Sequence, residues 1–138
     1  MLRTLCLTIP LCAALTAPLS AQSSSETIVT PQEFEALTTG NTLYFERNGR
    51  FFGAEQFYTR RRSLWMNGAK ECLDGEWFAK NDLICFDYGT ERDPQCWHFI
   101  ERSGQYSARA EGESAEFDIH LYDIDETPLD CKGPAVGA

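Results

Sequence analysis

Thr42-Leu43-Tyr44-Phe45-Glu46-Arg47-Asn48-Gly49-Arg50-Phe51-Phe52-Gly53-Ala54-Glu55-Gln56-Phe57-Tyr58 is the stretch from which the fold is read. Two aromatic-rich runs, 42–47 and 50–58, flank Asn48-Gly49. That dipeptide favours a two-residue type I′ hairpin, because both central residues need positive φ. Beyond the hairpin, turn formers recur at intervals of roughly ten residues, the punctuation of a small all-β domain. Ser63 to Asn67 ends at Gly68, and Glu76 to Lys80 is followed by Asn81-Asp82. Leu83 to Tyr88 and Gln95 to Glu101 are joined by the loop Gly89-Thr90-Glu91-Arg92-Asp93-Pro94. Gln105 to Ala110 and Glu116 to Tyr122 flank Glu111-Gly112-Glu113-Ser114. The pattern predicts an antiparallel meander of about eight short strands, a number that commonly closes into a small barrel or a strongly curved sheet so that no edge stays exposed. Leu43-Tyr44-Phe45, Phe51-Phe52, Trp77-Phe78 and Ile84-Cys85-Phe86 are runs rather than alternations. Such strands are covered on both faces, or carry an aromatic patch on one.

One helix precedes the strands. Thr30-Pro31-Gln32-Glu33 places an N-cap Thr, Pro at the first helical position and Glu at capping-box spacing. Phe34 and Leu37 share a face, and Gly40 can end the helix in a left-handed turn. Two turns are too short to stand alone, so Phe34 and Leu37 are expected to close one end of the β core.

The start of the chain reads as a secretory signal peptide over residues 1–21. Arg3 precedes an apolar run from Leu5 to Leu15, and small residues end at Ala21 before Gln22-Ser23-Ser24-Ser25. The apolar run falls well short of the ~20 residues a spanning helix needs. Residues 22–29 are expected to be a flexible leader, 30–131 a single β domain and 132–138 a C-terminal tail.

Export converts Cys72, Cys85, Cys96 and Cys131 from thiols into a disulfide framework with three possible pairings. If 83–88 and 95–101 pair as a hairpin with Cys85 opposite Cys96, their Cβ atoms meet the short separation a disulfide demands. Cys85–Cys96 is therefore expected, and Cys72–Cys131 follows by elimination, tying the tail beyond Pro128 to the sheet. No Cys-x-x-Cys is present, and His98 and His120 supply no ligand pair, so no metal site is expected.

The series Arg62-Ser63-Leu64-Trp65, Gly68, Cys72, Gly75-Glu76-Trp77, Cys85-Phe86-Asp87-Tyr88, Gln95-Cys96-Trp97-His98-Phe99 resembles small, signal-bearing bacterial secreted proteins grouped as a domain of unknown function. The resemblance covers roughly Pro31 to Ala110. It implies a bacterial cell envelope and a β fold, and it carries no activity or catalytic residue.

Twenty-one acidic residues against 12 basic ones give a net charge of −9, and loss of Arg3 with the signal peptide makes it −10. Phosphate backbones and anionic membrane surfaces would repel such a chain, so nucleic-acid and membrane-surface binding are not expected. The charge is uneven: residues 41–70 hold Arg47, Arg50, Arg60, Arg61, Arg62 and Lys70 against Glu46 and Glu55, whereas 111–130 hold only acids.

No Gly-x-Ser-x-Gly elbow precedes a helix, and both His residues sit in strand patterns. No catalytic residue and no cofactor is assigned. Asp123, Asp125 and Glu126 lack the order of a calcium loop and read as a solvated edge. Trp65, Trp77 and Trp97 read first as core. The functional alternative is an aromatic pocket in the barrel mouth, with Trp65 at the rim and Arg61 or Arg62 contacting an anionic group. The expected function is a non-enzymatic periplasmic or secreted module that binds a small apolar or anionic ligand, or an envelope partner. The alternative is a proteinaceous inhibitor of an exported hydrolase such as a lysozyme, whose basic surface the acidic chain would attract.

Overall fold

The computed structural model describes residues 25–132. The expected signal peptide and most of the C-terminal tail lie outside them. The hairpin forms as read: Thr42–Arg47 (β2) and Arg50–Phe57 (β3) pair antiparallel around Asn48 and Gly49, whose φ values are 52° and 71°. From there the chain meanders through Arg62–Asn67 (β4), Cys72–Lys80 (β5), Leu83–Asp87 (β6), Gln95–Arg102 (β7), Gln105–Ala110 (β8) and Ile119–Asp125 (β9), each strand pairing with its predecessor. Strand β9 then pairs with β2, with Leu43 opposite Ile124 and Phe45 opposite Leu121. The eight strands β2 to β9 thus close into an antiparallel barrel, which leaves no open edge along the main ladder.

A further strand, Thr27–Ile28 (β1), was not legible in the sequence. It pairs with β7 at Ile100 and Glu101 because β6 reaches only as far as Trp97, leaving the rest of that edge with unpaired amides. Val29 continues inward and is buried, its N–H donating to the Phe99 carbonyl at 2.8 Å. The leader expected over 22–29 is therefore corrected: its last three residues belong to the sheet and core. Glu26, just before β1, is held by Arg102 and by Arg109, which also makes a two-pronged bond to Asp118 at 2.7 Å on each arm.

The helix Pro31–Thr38 (α1) forms between β1 and β2, so it is not the first element. Its capping box is complete: the Glu33 N–H donates to Thr30 Oγ1 at 3.3 Å and the Thr30 N–H to Glu33 Oε2 at 2.8 Å. Gly40 leaves the helix at φ 85° and its N–H donates to the Phe57 carbonyl, which ties α1 to the end of β3. Phe34 is fully buried against Phe57, Trp77, Phe86 and Phe99, with ring centroids 4.9 to 6.4 Å away. Because the strands alternate in direction, the turns after β3, β5 and β7 gather at the α1 end, and those after β2, β4, β6 and β8 at the other. Helix α1 floors the barrel.

Two strand limits differ from expectation. Strand β5 begins at Cys72 rather than Glu76, because Gly75 sits inside the strand and does not end it. Strand β9 spans Ile119–Asp125 rather than Glu116 to Tyr122, since 115–117 form a 3-10 turn.

Both disulfides form with the expected pairing. Cys85 and Cys96 are direct register partners with Cα atoms 4.0 Å apart, and Cys72 bonds Cys131 at a Cα separation of 5.7 Å. The segment after β9 crosses the outside of the barrel to make the second bond. Thr127 accepts from Thr42, the Leu129 N–H donates to Gln56, and the Lys132 N–H donates to the Lys70 carbonyl.

The sequence separations of 11 and 59 residues make the two bonds unequal. By loop-closure entropy, replacing Cys85 and Cys96 together by Ala should cost about 3 kcal/mol, and replacing Cys72 and Cys131 about 4 kcal/mol. Urea unfolding of each double variant checks the order. A smaller loss for the Cys72–Cys131 pair would contradict it.

Candidate functional site

A cavity of about 260 Å³ occupies the barrel interior above the α1 floor. Its wall is built by period-two alternation: Phe57 and Glu55 from β3, Phe99 and Trp97 from β7, and Ile119 from β9 face inward. The lining grades from buried to exposed along the barrel axis. Phe34 and Phe57 are buried at the floor and Phe45 midway up the wall, while Leu73 is 44% exposed and Arg92, in the loop that follows β6, and Gln95 just after it are exposed. The cavity therefore opens at the end opposite the helix.

Two glycines shape the wall. At Gly53 an added Cβ would stand 2.2 Å from the Trp65 ring, and at Gly75 one would stand 2.6 Å from the Tyr88 ring. Each glycine gives up its own side chain so that a neighbouring strand's aromatic can lie across the backbone. A bulge in β3 leaves Phe52 without a partner on β2, and this turns Phe52 toward Trp65, ring centroids 5.9 Å apart.

Lying across Gly75, Tyr88 reaches Glu55 on β3, and its hydroxyl donates to Oε2 at 2.8 Å. Glu55 is only 3% exposed. Its other oxygen, Oε1, and the Ser63 Oγ beside the carboxyl are both buried without a well-formed hydrogen bond. Burial pushes the Glu55 carboxyl up to about 7, against the opposing pull of the Ser63 and Tyr88 hydroxyls. Burial, together with the adjacent Glu55, also pushes the Tyr88 hydroxyl above its ordinary value, so Tyr88 remains a donor at any physiological pH.

Of the residues singled out from sequence, Trp65 and Trp97 line the cavity. Trp77, 3% exposed, lies in the core against Phe34, outside the lining. The arginines are corrected. Arg61 stands at the floor end, its guanidinium 4.6 Å from the Trp77 ring centroid and 3.0 Å from Glu35. Arg62 faces solvent with Asp74 3.9 Å away. Neither lines the cavity. The polar members of the lining are instead Glu55, Tyr88, Arg92 and Gln95.

His98 and His120 do not line the cavity; they occupy the strand positions that alternate with the inward Trp97, Phe99 and Ile119. Among the described residues no three His, Cys, Asp or Glu side chains gather in a metal-holding group. Asp125 accepts from the Tyr44 hydroxyl and the Thr127 N–H, and Asp123 from the Ile124 N–H, so these acids serve the local backbone and β2.

The buried acid makes stability depend on pH in a fixed direction. Glu55 ionises near 4.5 when unfolded and at about 7 when folded, so the folded state keeps a proton that the unfolded state has released. Stability is full below the lower value, falls as pH rises between the two, and is reduced by about 3 kcal/mol above the upper one. Glu55→Gln keeps an acceptor for Tyr88 without the charge. It should be more stable than wild type at pH 8 and match it near pH 4. Thermal unfolding at the two pH values measures this, and a variant equally destabilised at both would refute it.

No protein-family model matches this chain, and neither a curated protein nor a solved structure shows significant similarity to it.

Proposed function

We propose that the protein is a non-enzymatic binding module of the periplasm or extracellular medium that holds a small, largely apolar ligand inside its barrel. The observation that carries this reading is the aromatic cavity, open at one end and floored at the other. Eight-stranded barrels are just wide enough either to fill with side chains or to hold one small molecule. Here the floor is filled by Phe34, while Trp65 and Trp97 are only half-buried around open space. An aqueous space walled by aromatic rings gains free energy when an apolar body replaces its water.

Two disulfides fit an oxidising compartment. Among the described residues no helix is long and apolar enough to cross a membrane. The Arg3 and Leu5 to Leu15 pattern supports export. Inhibition of an exported hydrolase would place recognition on the outer surface, and the concentration of aromatic lining inside the barrel favours the interior reading.

Titration with N-phenyl-1-naphthylamine, a neutral apolar fluorophore, tests the site. Its emission should rise saturably at one equivalent while tryptophan emission falls. Trp77→Ala should cost about 3–5 kcal/mol of stability, the range for a fully buried aromatic. Trp65→Ala should cost less and abolish probe binding, and Ala108→Phe, which fills the cavity from β8, should exclude the probe from a folded barrel. Absence of saturable binding, or binding indifferent to both cavity substitutions, would sink the proposal.

A further inference from the structure

Among the described residues that line the cavity, Glu55 is the only acid and Arg92 the only base. They sit at different depths: Glu55 is buried in the wall, and Arg92 is exposed in the loop after β6. We infer that the ligand is a small organic monocation, an ammonium carried on an aromatic or apolar body, whose N–H pairs with Glu55 among the ring faces. This rests on the interior site proposed above and names its ligand class.

The geometry points this way from several sides. Glu55 Oε2 is taken by the Tyr88 hydroxyl at 2.8 Å, while Oε1 is buried without a formed hydrogen bond, the Ser63 hydroxyl being the neutral donor beside the carboxyl. A buried acceptor left unmade is costly, and a carboxylate's free oxygen is best met by a charged donor. Trp65, Trp97 and Phe86 share that space, and Phe52 lines it with the Arg47 guanidinium already 4.7 Å from its ring centroid. Ring faces attract cations, and more strongly where water is excluded. The volume of about 260 Å³ exceeds the roughly 150 Å³ in which a benzene fits, leaving room for one ring with a short amine-bearing chain. The net charge of −9 draws cations toward the protein.

Arg92 opposes entry of a cation, but Glu91 and Asp93 flank it, so the loop's charge there is net negative. Of the titratable or charged side chains that share the lining with Glu55, Tyr88 stays protonated and Arg92 is the cation. The side chains that α1, β2, β4, β5, β7, β8 and β9 contribute to the wall carry no ionisable group. Burial holds the Glu55 carboxyl up to about 7, so an ammonium entering at neutral pH displaces a proton to solvent.

Three probes of one shape tested by calorimetry on the mature protein decide the matter: 2-phenylethylamine, 2-phenylethanol and 3-phenylpropionate. The amine should bind at least tenfold more tightly than the alcohol at pH 7.5. Its affinity should rise about tenfold between pH 6 and pH 8, as a single carboxyl ionising at about 7 requires. Proton release should show as a dependence of the heat on the buffer's ionisation enthalpy. Glu55→Gln should erase the amine's advantage over the alcohol. Tyr88→Phe keeps the carboxylate and removes a competing donor, so the amine preference must persist in it. An alcohol that binds as well as the amine overturns the inference while leaving the interior site standing. A preference for the carboxylate also overturns it and moves recognition to Arg92. If none of the three binds while N-phenyl-1-naphthylamine does, the inference falls and the interior site stands; if the fluorophore does not bind either, both fall.

Discussion

Pairing of β9 with β2 is the constraint on which the molecule depends. A meander of short strands left open would expose two edges of unpaired amides, and joining first strand to last removes both. Closure also creates an interior, and the side chains must either fill it or leave a space. The chain does one at each end. At the floor, Phe34 is delivered by α1 into a group of rings packed edge to face, the arrangement that aromatic quadrupoles favour. At the mouth, glycines and a bulge stand where bulky residues would otherwise fill the barrel, and the rings lie along the wall instead of across the centre.

Such a space costs stability, because apolar atoms bordering it lose neighbours and a buried acid adds its own desolvation. The fastenings lie outside the cavity. Cys85–Cys96 locks the register of β6 on β7, the pair that carries Phe86, Trp97 and Phe99 into the wall. Cys72–Cys131 draws the chain after β9 across the outside of β2, β3 and β4, over the strands that hold Glu55 and Trp65. Stabilising the shell from without lets the interior stay incompletely packed, the usual relation between a rigid scaffold and a site that departs from good packing.

Local signals in the sequence were the readable ones. Asn48-Gly49, the Thr30-Glu33 capping box and the Cys85/Cys96 register each act within a few residues or one hairpin, and each formed as expected. Less legible was whatever depended on length along the barrel or on partners far apart. Thr27–Ile28 belongs to a short β-branched run whose pairing is set by the distant edge that β6 leaves vacant, with Val29 buried and Glu26 held by Arg102 and Arg109 on either side. Gly75 looked like a terminator of the strand before Trp77, yet it is needed inside β5 because Tyr88 occupies the place of its side chain. Proximity in sequence also misled: Arg61 and Arg62 are close to Trp65 along the chain, but neither lines the cavity, and Arg61 covers Trp77 instead.

Glu55 shows most clearly where sequence reasoning stopped and why. Counting by twos from the aromatic Phe57 puts Glu55 and Gly53 on the same inward face, so alternation did hold the signal. A lone acid in a strand ordinarily points to water, and nothing local distinguishes this one. Its burial is decided by Tyr88, thirty-three residues away, which crosses a glycine on a third strand to reach one carboxylate oxygen and leaves the other unmatched. A barrel built only for stability would place an apolar residue at that position, since replacing a buried charge with a well-packed hydrophobe is often neutral or favourable. Keeping the acid, orienting it with a hydroxyl and surrounding it with ring faces fits the proposal that the space beside it takes a ligand that carries a donor.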